Sequence, residues 1–152
     1  MRAVVERVRK CTLYSEGKKF SHIDNGLLVL FGVHETDTED MVEHFAQKLL
    51  KLRIFRDENG KLNKDVVSFG GQIMVVSNFT LYGRTKSTNR PDFTHAGKPE
   101  NAEKIYNKLC QTLKNYVPTQ TGVFRTHMDI EMIADGPGTY LVEEYSTEDA
   151  IY

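Results

Sequence analysis

Apolar and polar positions along this chain recur with periods that mark out most of its elements. Arg2 to Val8 and Thr12 to Ile23 read as short strands, the second folding back through the turn-forming Glu16-Gly17-Lys18. Between Asn25 and Val33 the run Leu27-Leu28-Val29-Leu30-Phe31 is apolar at every position, which predicts a strand buried on both faces at the centre of a sheet. From Asp37 to Leu52 the period changes: Met41, Val42, Phe45, Ala46, Leu49 and Leu52 fall on one face of a helix, with Asp37 and Thr38 as candidate caps. After the turn Asp57-Glu58-Asn59-Gly60, residues Gln72 to Leu81 open on Ile73-Met74-Val75-Val76 and predict a second buried strand, with Ser77 near its C-terminal end. Gly83 to Lys98 is a polar loop. Pro99 then suits the first position of another helix, whose apolar side carries Ala102, Ile105, Tyr106, Leu109, Cys110 and Leu113. Alternation from Phe124 to Ala134 predicts a half-buried strand, and Thr139 to Tyr145 a last one.

Two segments carry candidate chemistry. Ala134-Asp135-Gly136-Pro137-Gly138-Thr139 separates the last two strand-like runs, and two readings of it stay open: a hairpin turn, or a rigid element whose Gly-Pro bond, cis at modest cost, aims its carbonyls at a ligand. Ser77-Asn78-Phe79-Thr80 places small hydroxyls where a buried strand ends, either to satisfy loose backbone groups or to face a ligand. The successive N–H groups of Phe79 and Thr80 could also hold a developing oxyanion, which needs no special side chain.

Composition narrows the field. A chain of 152 residues with 39% hydrophobic content is sized for one domain with a proper core. Its 20 Lys and Arg against 21 Asp and Glu leave a formal charge of -1, so any nucleic-acid contact must be a local patch. The strongest such patch is the loop carrying Arg84, Lys86, Arg90, His95 and Lys98 against the single carboxylate Asp92; it reads equally as a solvated face. Cys11 and Cys110 lie in apolar-patterned segments without CxxC spacing and are expected to be buried free thiols in a reducing compartment. With no signal-peptide pattern and no membrane span, a cytoplasmic protein is expected. Nucleotide-binding, nucleophile-elbow and zinc-protease motifs are lacking, and His22, His34, His44, His95 and His127 show no metal-ligand spacing, so neither metal nor cofactor is expected.

From Met1 to about Val142 the chain resembles the D-aminoacyl-tRNA deacylase family, also called D-tyrosyl-tRNA deacylase. The likeness rests on Ala3-Val4-Val5-Glu6-Arg7-Val8, Leu27-Leu28-Val29-Leu30, Leu52-Arg53-Ile54-Phe55-Arg56-Asp57 with Gly60-Lys61-Leu62-Asn63, Asn89-Arg90-Pro91-Asp92-Phe93, and the two segments above. It implies an α/β fold of mixed, barrel-like sheets with two main packed helices, a single domain over residues 1–145 with a polar tail at 146–152, and a homodimer. The implied activity is hydrolysis of the ester of D-aminoacyl-tRNA, and of glycine mischarged on tRNA-Ala, because a filter that excludes L side chains cannot reject glycine.

The resemblance also implies roles. Gly136 and Pro137 of one subunit would read chirality in the pocket of the other, with Arg7 bracing them. Ser77, Asn78, Phe79 and Thr80 would form the catalytic segment, Phe79 and Thr80 N–H groups taking the oxyanion while the substrate's 2′-hydroxyl assists water; Thr80 ranks as a positioning residue rather than a nucleophile. Ala102, Phe124 and Met128 match positions around the terminal adenine, or else are plain core. Arg84, Lys86, Arg90 and Lys98 would meet the tRNA backbone. Where the family has glutamine, this chain has Asn78; Arg125 and Thr126 stand where small residues are usual; Ala134 replaces an asparagine; and Gly138 replaces a larger residue, which predicts a looser Gly-Pro turn. These departures keep a second reading open, a divergent paralogue that binds nucleic acid or tRNA with little or no deacylase activity.

Overall fold

The computed structural model describes residues 1–146, so most of the expected polar tail lies outside the described residues. The chain runs β1 (Arg2–Ser15), β2 (Lys18–Ile23), β3 (Gly26–Gly32), a 3-10 turn (Glu39–Met41), α1 (Val42–Leu50), β4 (Phe55–Arg56), β5 (Leu62–Lys64), α2 (Val66–Phe69), β6 (Gln72–Ser77), a second 3-10 turn (Phe79–Tyr82), α3 (Pro99–Lys114), β7 (Thr119–Thr121) and β8 (Met128–Glu143). No helix among the described residues is long and apolar enough to cross a membrane.

One strand organises the sheet. The two runs expected at Arg2 to Val8 and from Thr12 are a single strand, β1, that changes partner midway. Its first half, Arg2 to Val8, pairs antiparallel with β3, and Cys11 to Ser15 pair antiparallel with β2. Along its other edge β8 follows it from Ser15 back to Arg2. Beyond β3 the order continues to β6 and β7, both added in parallel. The sheet then curls until its edges meet: Ser21 Oγ of β2 donates to the Thr121 carbonyl of β7 at 2.9 Å. The result is a mixed α/β single domain around a nearly closed, barrel-like sheet.

Parallel neighbours require long crossovers, and the β3-to-β6 and β6-to-β7 crossovers supply α1 and α3. Both helices pack on one face of the sheet, where Ala3, Val5, Leu27, Val29, Phe31, Phe45, Leu49, Ile105 and Leu109 form the larger core. The opposite residues, including Val8, Leu13, Leu28, Met74 and Val76, fill the interior of the curl. That division explains why β3 is apolar at consecutive positions. Gly26 is required where β3 meets β6, since a Cβ there would lie 1.9 Å from the Gln72 carbonyl oxygen.

Three expectations need correction. The first helix is shorter than 37–52, because Asp37 is buried instead of capping: it accepts the His34 N–H at 2.7 Å and pairs with the Met1 amino group at 2.8 Å. The strand from Gln72 stops at Ser77, and Phe79 to Leu81 belong to a 3-10 turn. Nor is the Gly-Pro segment a hairpin. The runs on either side of it form one strand that begins at Met128, because both pair with β1: Ala134 opposes Val8 and Thr139 opposes Glu6, so 135–138 bulge out opposite Arg7. A bulge suits a proline, which has no N–H for the ladder.

Candidate functional site

At the end of β6 the ladder passes a last bond to β3, the Asn78 N–H donating to the Phe31 carbonyl at 2.7 Å. The chain then enters the 3-10 turn, whose first amides, those of Phe79 and Thr80, have no partner inside the turn. The Thr80 hydroxyl donates to Asn78 Oδ1, so the asparagine that stands in the glutamine position orients the threonine. Nothing in this arrangement activates that hydroxyl as a nucleophile.

Beside this turn opens a cavity of about 730 Å³, within the range of small-molecule sites. Ser77, Asn78 and Phe79 line it from the β6 end, Lys98, Pro99 and Ala102 from the start of α3, and Phe124, Arg125, Thr126 and Met128 from the segment leading into β8. Six residues assigned to catalysis or adenosine binding therefore share one pocket. Ala102 also belongs to the larger core, Phe124 packs against that core, and Met128 packs against the interior of the curl, so the core and pocket readings of these residues hold together.

The other assignments fall elsewhere. Thr80, Arg84, Lys86 and Arg90 are exposed and lie outside the lining, as do the exposed Gly136 and Pro137. The Gly136-Pro137 bond is cis. Arg7 is only 6% exposed and does sit against this element: Nε donates to the Asp135 carbonyl at 3.2 Å and lies 3.2 Å from Oδ2 of its carboxylate, while Nη1 donates to the Ile54 carbonyl at 2.6 Å. Gly138 does not loosen the segment. A Cβ there would stand 2.8 Å from the Asp135 carbonyl oxygen and 3.2 Å from Arg7 Cβ, so glycine lets the arginine close over the bulge.

Sequence reasoning left the outer wall of the cavity unassigned. Phe93 meets Phe79 edge-on at 5.0 Å between ring centroids, and Ala96 and Gly97 line the cavity from the polar loop. The signal lies in Asn89-Arg90-Pro91-Asp92-Phe93, of which only Arg90 carries an expected role, at the tRNA backbone. This loop is held at both ends. Arg84 and Asp92 exchange backbone bonds at 2.9 Å, and hydrogen bonds from the Thr94 hydroxyl and then the Arg84 guanidinium hold the Asp92 carboxyl well below the usual carboxylate range. Further on, Gly97 N–H donates to the Val33 carbonyl at 2.8 Å and Glu35 N–H to the His95 carbonyl at 3.0 Å. Here the fold gathers three side chains that spacing could not connect: ligating atoms of His34, Glu35 and His95 lie within 4.8 Å of one another. His95 Nδ1 bonds Glu35, and its ring stacks on that of His34 at 5.7 Å, so the cluster clasps the loop to the end of β3. Cys11 and Cys110 are buried free thiols, as expected, and burial pushes both up to about 11.

A cavity at the carboxyl ends of two parallel strands, floored by a backbone turn and walled by a helix start, defines an α/β domain built to hold a small ligand there. The family model described as D-Tyr-tRNA(Tyr) deacylase matches residues 4–143, and the chain belongs to that family. Curated relatives agree. The D-aminoacyl-tRNA deacylase of Chloroherpeton thalassium is 42% identical over 151 residues, covering 98% of this chain and 99% of its own, and that of Thermosipho africanus is 40% identical over 144 residues, covering 94% and 97%. Among solved structures, one titled c-Myc DNA Unwinding Element Binding Protein superimposes with a TM-score of 0.90 at 37% identity, covering 96% of this chain and all of the other. A second, titled as a probable eukaryotic D-amino acid tRNA deacylase, shares the fold with a TM-score of 0.81 at 14% identity, covering 93% and 97%.

Proposed function

We infer that this protein hydrolyses the ester joining a D-amino acid to the 3′ end of tRNA, releasing the free amino acid and tRNA and so proofreading charged tRNA by chirality. The observation that carries the reading is the shared cavity, in which the end of β6 and the start of the turn, Ser77 to Phe79, face Ala102, Phe124 and Met128 in a chain alike over its length to curated deacylases. The terminal adenine rests among those three side chains. The ester carbonyl then lies toward the turn, where Phe79 and Thr80 N–H groups take the negative charge of the tetrahedral intermediate. An aminoacyl ester is already activated, so orienting water and holding that charge supply much of the acceleration, and the ribose 2′-hydroxyl of the substrate helps to position the water.

Chirality is read by a second copy of the chain. Gly136 and Pro137 do not line the pocket of their own chain, and they are exposed and held by Arg7, as an element offered to another subunit would be. Backbone pressed against the substrate's α-carbon leaves no space where an L side chain would point, whereas glycine passes, which makes glycyl-tRNA a second substrate. Lys86, Arg90 and Lys98 meet the tRNA backbone; Arg84, paired with Asp92 at 2.9 Å, contributes less to that contact.

Deacylation of D-tyrosyl-tRNA and L-tyrosyl-tRNA tests the reading, and D-selective turnover is the expected result. A second reading, nucleic-acid binding without turnover, is favoured by the likeness to the c-Myc DNA Unwinding Element Binding Protein, which is 37% identical. Tight tRNA or DNA binding with no release of D-tyrosine would replace the first reading with the second.

A further inference from the structure

Arg125 adopts φ +62°, the left-handed region in which residues with side chains are uncommon and glycine is favoured. Its side chain is exposed, lines the cavity, and makes no hydrogen bond or ion pair with any described residue. Lys98 lines the same cavity from the N-terminal boundary of the 16-residue α3, and its ammonium likewise meets no described carboxylate. No Asp or Glu is among the residues lining the cavity. Four other arginines have carboxylate partners, Arg2 with Glu143, Arg7 and Arg9 with Asp135, and Arg84 with Asp92, whereas Arg125 faces the cavity without one. Two cations without an ion-pair partner at one cavity whose lining holds no carboxylate favour an anion there; the acidic residue of the α3 first turn, Glu100, lies outside the lining.

We propose that Arg125 and Lys98 clamp the 5′-phosphate of the substrate's 3′-terminal nucleotide, so that the site prefers a 5′-phosphorylated aminoacyl nucleoside to the bare aminoacyl nucleoside. This rests on the deacylase reading of the same cavity. With the base among Ala102, Phe124 and Met128 and the ester at the turn, the one anionic group of the terminal nucleotide is the phosphate on the ribose 5′-oxygen. Arg125 immediately follows Phe124, so a base packed on Phe124 carries its phosphate toward the guanidinium. The guanidinium offers a planar fork to two phosphate oxygens, and the lysine adds a mobile point charge. Arg125 is thus a specificity residue, standing where the resemblance leads one to expect a small side chain.

The test uses the full-length protein and a pair of non-hydrolysable analogues, 3′-(D-tyrosylamino)-3′-deoxyadenosine with and without a 5′-phosphate, titrated by calorimetry. The phosphorylated analogue is expected to bind about tenfold more tightly to the wild type, with the difference shrinking as salt rises. Arg125→Gly, which suits the left-handed backbone and so keeps the fold, is expected to cut that preference to about threefold or less, and Arg125→Lys to retain part of it. Combining Arg125→Gly with Lys98→Ala removes it. Equal or undetectable binding of the two analogues by the wild type overturns the clamp, as does an Arg125→Gly protein that keeps the full preference or gains equally for both analogues, which would make Arg125 a steric gate. Deacylation of D-tyrosyl-tRNA measured in parallel separates the two failures. Turnover without phosphate preference sinks the clamp alone, whereas phosphate preference without turnover sinks the deacylase reading.

Discussion

Replacing Arg7 with methionine tests whether the Gly-Pro bulge is held from beneath by one guanidinium. Methionine keeps most of the apolar volume and removes only the charged fork. Three contacts go: the Asp135 carbonyl at 3.2 Å, the Asp135 carboxylate at 3.2 Å and the Ile54 carbonyl at 2.6 Å. Hydrogen bonds to a charged group are worth about 1.5–3 kcal/mol net, but these do not simply add. The Asp135 side chain is 38% exposed, so water takes over its released carboxylate and that part is discounted. The Ile54 carbonyl, on a residue 6% exposed, is left without its cationic donor. The net cost is about 2–4 kcal/mol. At about 3 °C per kcal/mol for a chain of this size, Tm falls by about 6–12 °C. Thermal unfolding followed by circular dichroism reads this, and hydrogen exchange reads where it acts: amides beside the bulge, at Ala134 and Thr139 where β8 rejoins β1, lose protection while those pairing β1 with β3 keep theirs. Arg7→Lys, with the charge but not the fork, falls between the two. A Tm within about 2 °C of wild type, or unchanged protection across the bulge, would refute the bracing.

Gly26→Ala places a methyl 1.9 Å from the Gln72 carbonyl oxygen, a backbone atom that cannot rotate away. The β3–β6 pair must part, and a loss of at least about 3 kcal/mol is expected; a variant that melts with wild type shows the approach is not that tight. Cys11 and Cys110, pushed up to about 11 by burial, hold roughly one thiolate in a thousand at pH 8. A chromogenic disulfide reagent should therefore find no fast thiol in the native protein and two after denaturation in guanidinium. Because the unfolded chain gives up these protons at lower pH than the native one, stability falls as pH rises from the ordinary thiol range through about 11. A denaturation midpoint that rises over that range contradicts the sign. Thr80→Ala keeps the N–H donors and loses a hydroxyl that bonds Asn78, so kcat on D-tyrosyl-tRNA should drop by less than about tenfold. Complete inactivity of the folded variant would point to covalent catalysis through Thr80.

What could be read from the chain followed the range of the forces involved. Local periodicity marked α3 from Pro99 and the doubly buried β3, since helix faces and all-apolar strands write themselves into neighbouring residues. Long-range pairing does not. The apparent gap between Val8 and Thr12 is the stretch where β1 leaves β3 and takes up β2, and its exposed Arg9 and Lys10 mark a change of partner, not an end of strand. The single strand that runs through the Gly-Pro segment is hidden in sequence for a related reason. Turn-forming residues look alike whether the flanking runs pair with each other or with a third strand, and here both pair with β1.

The site divides the same way. Ser77 at a strand end was visible from the run Ile73 to Val76, but nothing local joins it to Phe124 or Ala102; family likeness supplied that connection and the crossover through α3 realises it. His34 and His95, 61 positions apart, meet only because the polar loop returns to the end of β3. Arg125 shows what a departure from family pattern means within the fold. In sequence it is a bulky residue where small ones are usual. In the fold it is a cation on a left-handed backbone, facing a cavity without a carboxylate, and its strain and its charge both argue that the side chain is kept for an anion.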